Sequence, residues 1–150
     1  MTDLSDLSAY TNNPVPLPIT GGCACGALRY SIDAQPLIAL QCHCVYCQKI
    51  SGTGHGCFVV TPGEAATTTG EAREFTYVAD SGGTSFRYFC PQCSAMVFAK
   101  LSRHPETFVV AAASLDDREN YRPSVTVFAK EATSWDPPAP GLTLFTEGLG

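Results

Sequence analysis

The sequence predicts a single, mainly β domain, and three observations support this prediction. Short apolar or alternating runs begin at Ile19 and are broken by glycine, proline and acid-rich turns. The runs are rich in Val, Thr, Tyr and Phe, which favour half-buried pleated positions. Long stretches with apolar residues at helical spacing are missing. A length of 150 residues is enough for one domain with a hydrophobic core and argues against a second independent domain.

The runs predict eight strands and two short helical segments. A helical turn or two is expected only within residues 45–51 and 113–121. The predicted strands cover residues 28–32, 37–41, 57–61, 73–78, 85–90, 96–100, 107–112 and 124–128.

The chain divides into an arm, a domain and a tail. Residues 1–18 are polar and punctuated by prolines, which predicts a mobile or surface-laid N-terminal arm. Residues 19–136 form the domain. Residues 137–150 contain three prolines and are expected to form an extended C-terminal tail, with Trp135 and Phe145 packing this end of the chain.

Composition and charge exclude several classes of protein. Hydrophobic residues make up 45% of the chain, which excludes a disordered polymer. The net charge of −5 argues against nucleic-acid binding, which needs a basic face. The longest apolar runs are far shorter than the roughly 18 to 20 residues of a membrane span. The N-terminus lacks the pattern of a secretion signal, so we expect a soluble, cytoplasmic protein with reduced thiols. The sequence leaves the oligomeric state open.

Seven of the eight cysteines occur in three close groups. This spacing suits a tetrahedral thiolate site, in which one tight turn supplies two sulfurs at about 2.3 Å from an ion. A disulfide framework is disfavoured because no export signal is present, and a thioredoxin-type pair lacks its βαβ context. Zinc is the expected metal, with iron as the alternative. The groups are Cys23 and Cys25; Cys42, Cys44 and Cys47; and Cys90 and Cys93, with Cys57 alone.

Seven thiolates cannot complete two four-sulfur sites, so an unequal division is predicted. The first and last pairs (Cys23, Cys25, Cys90 and Cys93) resemble the two halves of a closed structural site. The middle group then holds a second ion with three ligands and one open position, as catalytic zinc sites do. The alternative is that Cys57 closes this second site. Its apolar surroundings in residues 57–60 favour a buried free cysteine instead.

A zinc ion held by three thiolates favours sulfur chemistry. The site is net anionic, which makes the ion a poor Lewis acid for splitting peptide bonds and a better holder of an exchangeable fourth sulfur. A substrate thiol would bind as a thiolate because metal coordination lowers its pKa. That thiolate could add to an aldehyde, or leave a hemithioacetal in the reverse direction.

The cysteine motifs resemble those of a known family. The segments GGCACGALRY (21–30), CHCVYCQKISG (42–52) and FCPQC (89–93) are similar in order and spacing to the glutathione-dependent formaldehyde-activating enzyme family, which shares its domain with centromere protein V. The resemblance runs from about Ile19 to Trp135. It implies several small coiled antiparallel sheets around a structural zinc.

The resemblance also implies two zinc ions per chain and a reaction. Cys23, Cys25, Cys90 and Cys93 would hold the structural zinc, as the spacing indicates. Cys42, Cys44 and Cys47 would hold a second zinc, with the sulfur of glutathione as the exchangeable ligand. The implied reaction joins formaldehyde to glutathione as S-hydroxymethylglutathione, and members are described as carbon-sulfur lyases for the reverse sense.

Two positions depart from the family pattern. The family usually has glycine after its last C-x-x-C, where this chain has Ser94. It often has arginine after the third cysteine of the middle motif, where this chain has Gln48. Lys49 could replace that arginine only as a point charge, because it lacks the fork geometry of a guanidinium.

Two histidines lie within or close to the middle motif, at positions 43 and 55. His43 lies between two ligand cysteines, and neighbours in an extended chain face opposite sides, so an indirect or surface role is favoured over zinc binding. His55, in a glycine-rich loop, is either a base facing the substrate or an exposed loop residue, and the second reading is favoured.

Two functions follow from the sequence. The first is a zinc-dependent carbon-sulfur lyase-type enzyme acting on a thiol-aldehyde adduct, with a small thiol such as glutathione as its partner. The alternative is a non-catalytic zinc module that binds a protein partner, which the same fold would permit.

Overall fold

The structure is a computed structural model and describes residues 4–10 and 14–149. Its strands are β1 (Ile19–Gly22), β2 (Arg29–Ile32), β3 (Ile38–Cys42), β4 (Gly56–Pro62), β5 (Ala66–Thr69), β6 (Arg73–Val78), β7 (Thr84–Phe89), β8 (Met96–Leu101), β9 (His104–Ala111), β10 (Val125–Val127) and β11 (Thr143–Leu144). One α-helix, α1 (Val45–Ser51), and short 3-10 segments at Leu4–Tyr10, Gly63–Ala65, Ala112–Ser114, Arg118–Asn120 and Ala129–Glu131 complete the described elements.

The predicted mainly β fold is confirmed. All eight predicted strands are present, with ends that differ by up to three residues, and the helical segment at 45–51 is α1. The helical turn or two predicted within 113–121 takes the form of two 3-10 turns, Ala112–Ser114 and Arg118–Asn120. Three strands were not predicted. β1 contains two glycines, β5 is polar and mostly exposed, and β11 is two residues long, so none carries an apolar alternation.

The strands form two sheets. The smaller sheet is antiparallel, in the order β1-β2-β5, and the larger has eight strands in the order β11-β10-β3-β4-β9-β8-β7-β6. β10 pairs in parallel with both β3 and β11, whereas the other neighbours are antiparallel. Spacing along the chain gave no indication of this parallel pairing.

The larger sheet is buried on both faces at its centre. In β4, Val59 belongs to the core cluster that the smaller sheet covers, while Phe58 and Val60 belong to a second cluster. In β9, Val110 belongs to the first of these clusters and Val109 to the second. Because neighbouring residues of a strand face opposite sides, both strands are continuous apolar runs.

The ends of the chain contact this body. Leu7 is buried in the second core cluster, and the backbone of Val15 exchanges two hydrogen bonds with the Gln35 side chain. Residues 1–3 and 11–13 of the predicted arm lie outside the described residues. Phe145 packs against the second cluster as expected, whereas Trp135 is 68% exposed and does not pack the tail. The boundaries drawn between arm, domain and tail stay a prediction.

None of the helices in the described ranges has the length and apolar character needed to cross a membrane.

Candidate metal centres

Four thiols meet at one end of the smaller sheet. Cys23 and Cys25 lie in the turn between β1 and β2, and Cys90 and Cys93 follow β7. Their sulfurs all lie within 4.8 Å of one another. The Sγ atom of Cys25 lies 3.6 Å from the Sγ atom of Cys23 and 3.7 Å from that of Cys90. Four sulfurs at about 2.3 Å around a tetrahedral ion are about 3.8 Å apart, so this cluster fits zinc.

Backbone donors favour the ionised form of this cluster. The Leu28 N–H donates to Cys23 Sγ at 3.2 Å, and the Gln92 N–H donates to Cys90 Sγ at 3.4 Å. Burial raises the pKa of Cys23, but the Leu28 bond and the neighbouring thiols outweigh it and lower that pKa to about 6. Thiolates are the form that binds metal.

Ser94, which follows Cys93 in the turn that carries Cys90 and Cys93, has a left-handed conformation. Its φ is 67°, and its N–H donates to the Cys90 carbonyl at 2.9 Å. This φ explains why the family that the cysteine motifs resemble usually has glycine at the corresponding position, since only glycine adopts it without strain. The substitution leaves the cysteines of the turn together.

A second cluster lies on the other side of the larger sheet. Cys42 ends β3, Cys44 is the N-cap of α1, and Cys47 lies in the first turn of that helix. Their sulfurs also lie within 4.8 Å of one another, and the Cys47 N–H donates to Cys44 Sγ at 3.2 Å. Cys42 and Cys47 are 6% and 3% exposed, whereas Cys44 is half-buried. The cluster is therefore open on the Cys44 side.

Hydrogen bonds among the three thiols of this second cluster favour the ionised form of one thiol and the neutral form of another. Bonds from Cys42 and Cys47 lower the pKa of Cys44 to about 3, while bonds to Cys44 and Cys47 raise the pKa of Cys42. One thiolate is stable without a cation, but three adjacent thiolates repel one another. A divalent cation removes that repulsion, so the donor set fits zinc with one position left for another ligand.

Arg87 of β7 faces this open cluster. Its Nη2 lies 3.8 Å from Cys47 Sγ, and its guanidinium lies over the rings of Tyr46 and Phe58 at 5.6 and 5.3 Å. The residue is 8% exposed, and Nε has no hydrogen-bond partner. Among the side chains that the structure describes, those of residues 7–10 and 14–149, no carboxylate lies at ion-pair distance from Arg87. A buried guanidinium is stable only beside negative charge, which this cluster supplies.

Two tyrosines border the same cluster. Tyr46 of α1 and Tyr77 of β6 stack with ring centroids 3.7 Å apart. Burial raises the pKa of Tyr77, and the nearby charges of Asp80 and Cys44 raise it further. The β6–β7 hairpin is thus held against the helix that carries the thiols.

Cys57 and Gln48 bond to groups other than the three thiols of the second cluster. Among the described residues, Cys57 belongs to neither cluster of thiols. It lies opposite Gln41 in the pairing of β3 with β4, and its side chain contacts Tyr121. Gln48 donates through Nε2 to the carbonyls of His43 and Glu131, at 2.8 and 3.1 Å. Gln48 therefore connects backbone segments, and Lys49 is exposed.

A third group of candidate ligands contains His43, His55 and Asp136. His43 is completely buried, which excludes the surface role, and burial lowers its pKa. The His55 side chain is 20% exposed and its Nδ1 lies 2.5 Å from Asp136 Oδ2, so it is not a freely exposed loop histidine. Sequence reasoning missed Asp136 and Arg87, because each is distant along the chain from the residues it meets.

Fold and site together define a β protein with two thiolate clusters that could bind zinc. The sequence profile described as "glutathione-dependent formaldehyde-activating enzyme" matches residues 18–131. The chain belongs to this family. A search of curated protein sequences finds no match.

Among solved structures, the chain is similar to a Rhodobacter sphaeroides protein determined as a structural genomics target. The identity is 20%, the TM-score is 0.52, and the match covers 65% of this chain and 88% of the other. This likeness supports the fold.

Proposed function

We propose that this protein is a zinc-dependent carbon-sulfur lyase-type enzyme that acts on a thiol-aldehyde adduct. Family membership supports a function related to glutathione-dependent formaldehyde activation. The observation that carries the proposal is the buried Arg87 beside an open cluster of three thiols. A structural site would be closed by a fourth protein ligand and would need no buried cation next to it.

The proposed roles of the cysteines differ between the clusters. Cys23, Cys25, Cys90 and Cys93 hold a structural zinc, because their donor set is complete. Cys42, Cys44 and Cys47 hold a second zinc. When bound there, zinc would supply an open position at which a substrate thiol ionises near neutral pH. Cys57 stays a free thiol in this assignment.

Arg87 supplies the positive charge that the reaction requires. In the forward direction the substrate sulfur attacks the aldehyde carbon, a C–S bond forms, and the carbonyl π electrons move to oxygen. That oxygen then takes up a proton through water, which replaces the proton that the substrate thiol released on ionising, so the product is a neutral hemithioacetal. The guanidinium favours both the thiolate and the developing alkoxide by charge, and it is already oriented by two aromatic rings. The reverse reaction uses the same charge.

Tyr46 and Tyr77 would border the substrate. Their stacked rings form an apolar wall beside the half-buried Cys44. Such a wall reduces the access of water and strengthens the attraction between Arg87 and an anionic sulfur. The proposed partner is glutathione or a related small thiol, and the reduced thiols of the clusters suit a cytoplasmic location.

Exchange NMR tests the proposed reaction. Formaldehyde and glutathione combine without an enzyme, so exchange between glutathione and S-hydroxymethylglutathione is measured with and without zinc-loaded protein. We expect acceleration by the wild type and by Cys57→Ser, but not by Cys44→Ser. An exchange rate equal to the uncatalysed rate would overturn the enzyme assignment and favour a non-catalytic module that binds a protein partner.

Metal analysis tests the division of the thiols. We expect the clustered cysteines of each chain to hold two zinc ions, one of which is lost on mild dialysis or displaced by excess glutathione. A single tightly held zinc that no thiol displaces would contradict the open second site.

A further inference from the structure

The group formed by His43, His55 and Asp136 contains no thiol and shares no residue with either thiol cluster. One potential ligand atom from each residue lies within 4.8 Å of the other two. His43 follows the last residue of β3, His55 precedes β4, and Asp136 lies in the segment before β11. Three separate stretches of chain therefore direct nitrogen or oxygen donors to one point.

The imidazole of His43 is the buried and unpaired member of this group. It is 0% exposed, and neither Nδ1 nor Nε2 has a hydrogen-bond partner. A buried polar nitrogen without a partner destabilises a fold, and a bound ion would remove that penalty. Imidazole nitrogen is also the commonest protein ligand for transition metals.

The spacing of the two imidazoles suits a shared ion. The ring centroids of His43 and His55 lie 4.8 Å apart, with an interplanar angle of 25°. A ring centre lies about 3.1 Å from a metal bound at about 2.0 Å, so two rings separated by roughly 100° around one ion have centroids about 4.8 Å apart. The distance between the rings is therefore compatible with one shared ion.

The carboxylate of Asp136 completes the donor set. Its Oδ2 lies 2.5 Å from His55 Nδ1. Gly54 makes this approach possible, because a Cβ at that position would overlap the Asp136 carboxylate. An ion would take the place of the proton that the pair shares, and the two donor atoms would separate to about 3.3 Å.

We propose that His43, His55 and Asp136 form a third metal site, for a divalent transition metal of the zinc class. Two imidazoles and one carboxylate are ligands that zinc, cobalt and nickel accept. The His55 and Asp136 side chains are 20% and 23% exposed, so water can fill the remaining positions. A metal there cross-links the two ends of the β3–β4 connection to the C-terminal segment.

Zinc titration tests this site on the full chain with its thiolate zinc already bound. Isothermal titration with Zn²⁺ should show one more equivalent bound by the wild type than by His55→Gln or Asp136→Asn. In each variant the affinity at this site should fall by at least the roughly 10- to 100-fold that loss of an outer-shell partner costs. His104→Gln is the matched control, because His104 also faces a carboxylate, that of Glu106 at 3.7 Å, but has no third ligand among the described residues.

Cobalt identifies the ligands. Co²⁺ added to the zinc-loaded wild type should bind without a sulfur-to-cobalt charge-transfer band, since the proposed site contains no thiolate. Circular dichroism checks that the two variants fold, and Asp136→Asn provides the test if His55→Gln does not. Equal stoichiometry in the wild type and a folded variant, or a charge-transfer band for the added Co²⁺, would overturn the proposal. Neither result depends on catalysis at the three-thiol cluster.

Discussion

The guanidinium of Arg87 lies against the thiol of Cys47, with Nη2 3.8 Å from Sγ. These residues are 40 positions apart in sequence and come from β7 and α1. The contact places a buried positive charge beside three thiols, two of which are themselves buried. Its function would be most evident when the site gains a further negative charge, as it does when a substrate thiolate adds.

Replacement of Arg87 should therefore weaken thiol binding more than zinc binding. A hydrogen bond to a charged group contributes about 1.5–3 kcal/mol, so Arg87→Gln is expected to lower glutathione affinity roughly 10- to 100-fold while zinc content is kept. Titration calorimetry and metal analysis measure the two quantities. Arg87→Lys should lie between wild type and Arg87→Gln, because it keeps the charge without the fork.

Arg118→Gln serves as the control for this experiment, because Arg118 is exposed on a 3-10 turn. The same glutathione affinity in Arg87→Gln, Arg118→Gln and wild type would show that Arg87 has no part in binding the thiol.

Loss of the four-thiol cluster should destabilise the fold more than loss of the three-thiol cluster. Cys90 is 2% exposed within the first core cluster, and structural zinc contributes about 10–16 kcal/mol to small domains. We expect Cys90→Ser to abolish the cooperative thermal transition, whereas Cys44→Ser keeps the fold and one zinc. Circular dichroism melts and metal analysis measure both effects.

Cys25→Ser gives a second variant of the four-thiol cluster, at an exposed position, if Cys90→Ser cannot be purified. Loss of the fold in Cys44→Ser, with the fold kept in Cys25→Ser, would reverse the assignment of structural and open sites.

Ser94→Gly should stabilise the protein. Ser94 has a φ of 67°, a conformation that destabilises a non-glycine residue by about 1–2 kcal/mol. Glycine removes this strain but gives the unfolded chain more freedom, which offsets about 0.4–1 kcal/mol. A net gain of about 0.5–1 kcal/mol is expected in urea unfolding of the zinc-loaded protein.

The neighbouring Ala95→Gly is the control, since Ala95 does not have a positive φ and should lose stability on the same change. A loss of similar size in both variants would mean that the turn does not strain Ser94.

Gly21→Ala should destabilise the packing of the smaller sheet against the 3-10 turn at Ala112–Ser114. A Cβ at Gly21 would overlap the Tyr30 hydroxyl and the Ser114 carbonyl, and the Tyr30 hydroxyl is already held by Ser114 Oγ at 2.7 Å. Overpacking of this kind destabilises a fold by about 1–3 kcal/mol. Urea unfolding with zinc present measures the change.

Gly148→Ala is the matched control for this crowding. Its Cβ would lie 3.5 Å from the Phe128 ring, an ordinary contact, so stability should change little. A loss in Gly148→Ala as large as in Gly21→Ala would remove the steric explanation.

Local patterns in the sequence predicted much of this fold. The eight predicted strands carry apolar or alternating runs, and α1 coincides with the one segment near the middle motif that allows a helix. The strands that were missed are short or polar, and β11 forms only because β10 offers it a parallel edge. Their formation depends on partners that no local pattern describes.

The sequence by itself determined the grouping of the thiols, because sulfurs within one tight turn must lie close together whatever the rest of the chain does. It also determined that the clusters are unequal, since seven grouped thiols cannot complete two tetrahedra. Only the tertiary structure decided that Arg87 meets Cys47 and that Asp136 meets His55 across 81 residues. Those contacts depend on strand order and on the path of the C-terminal segment, which follow from the packing of the whole core.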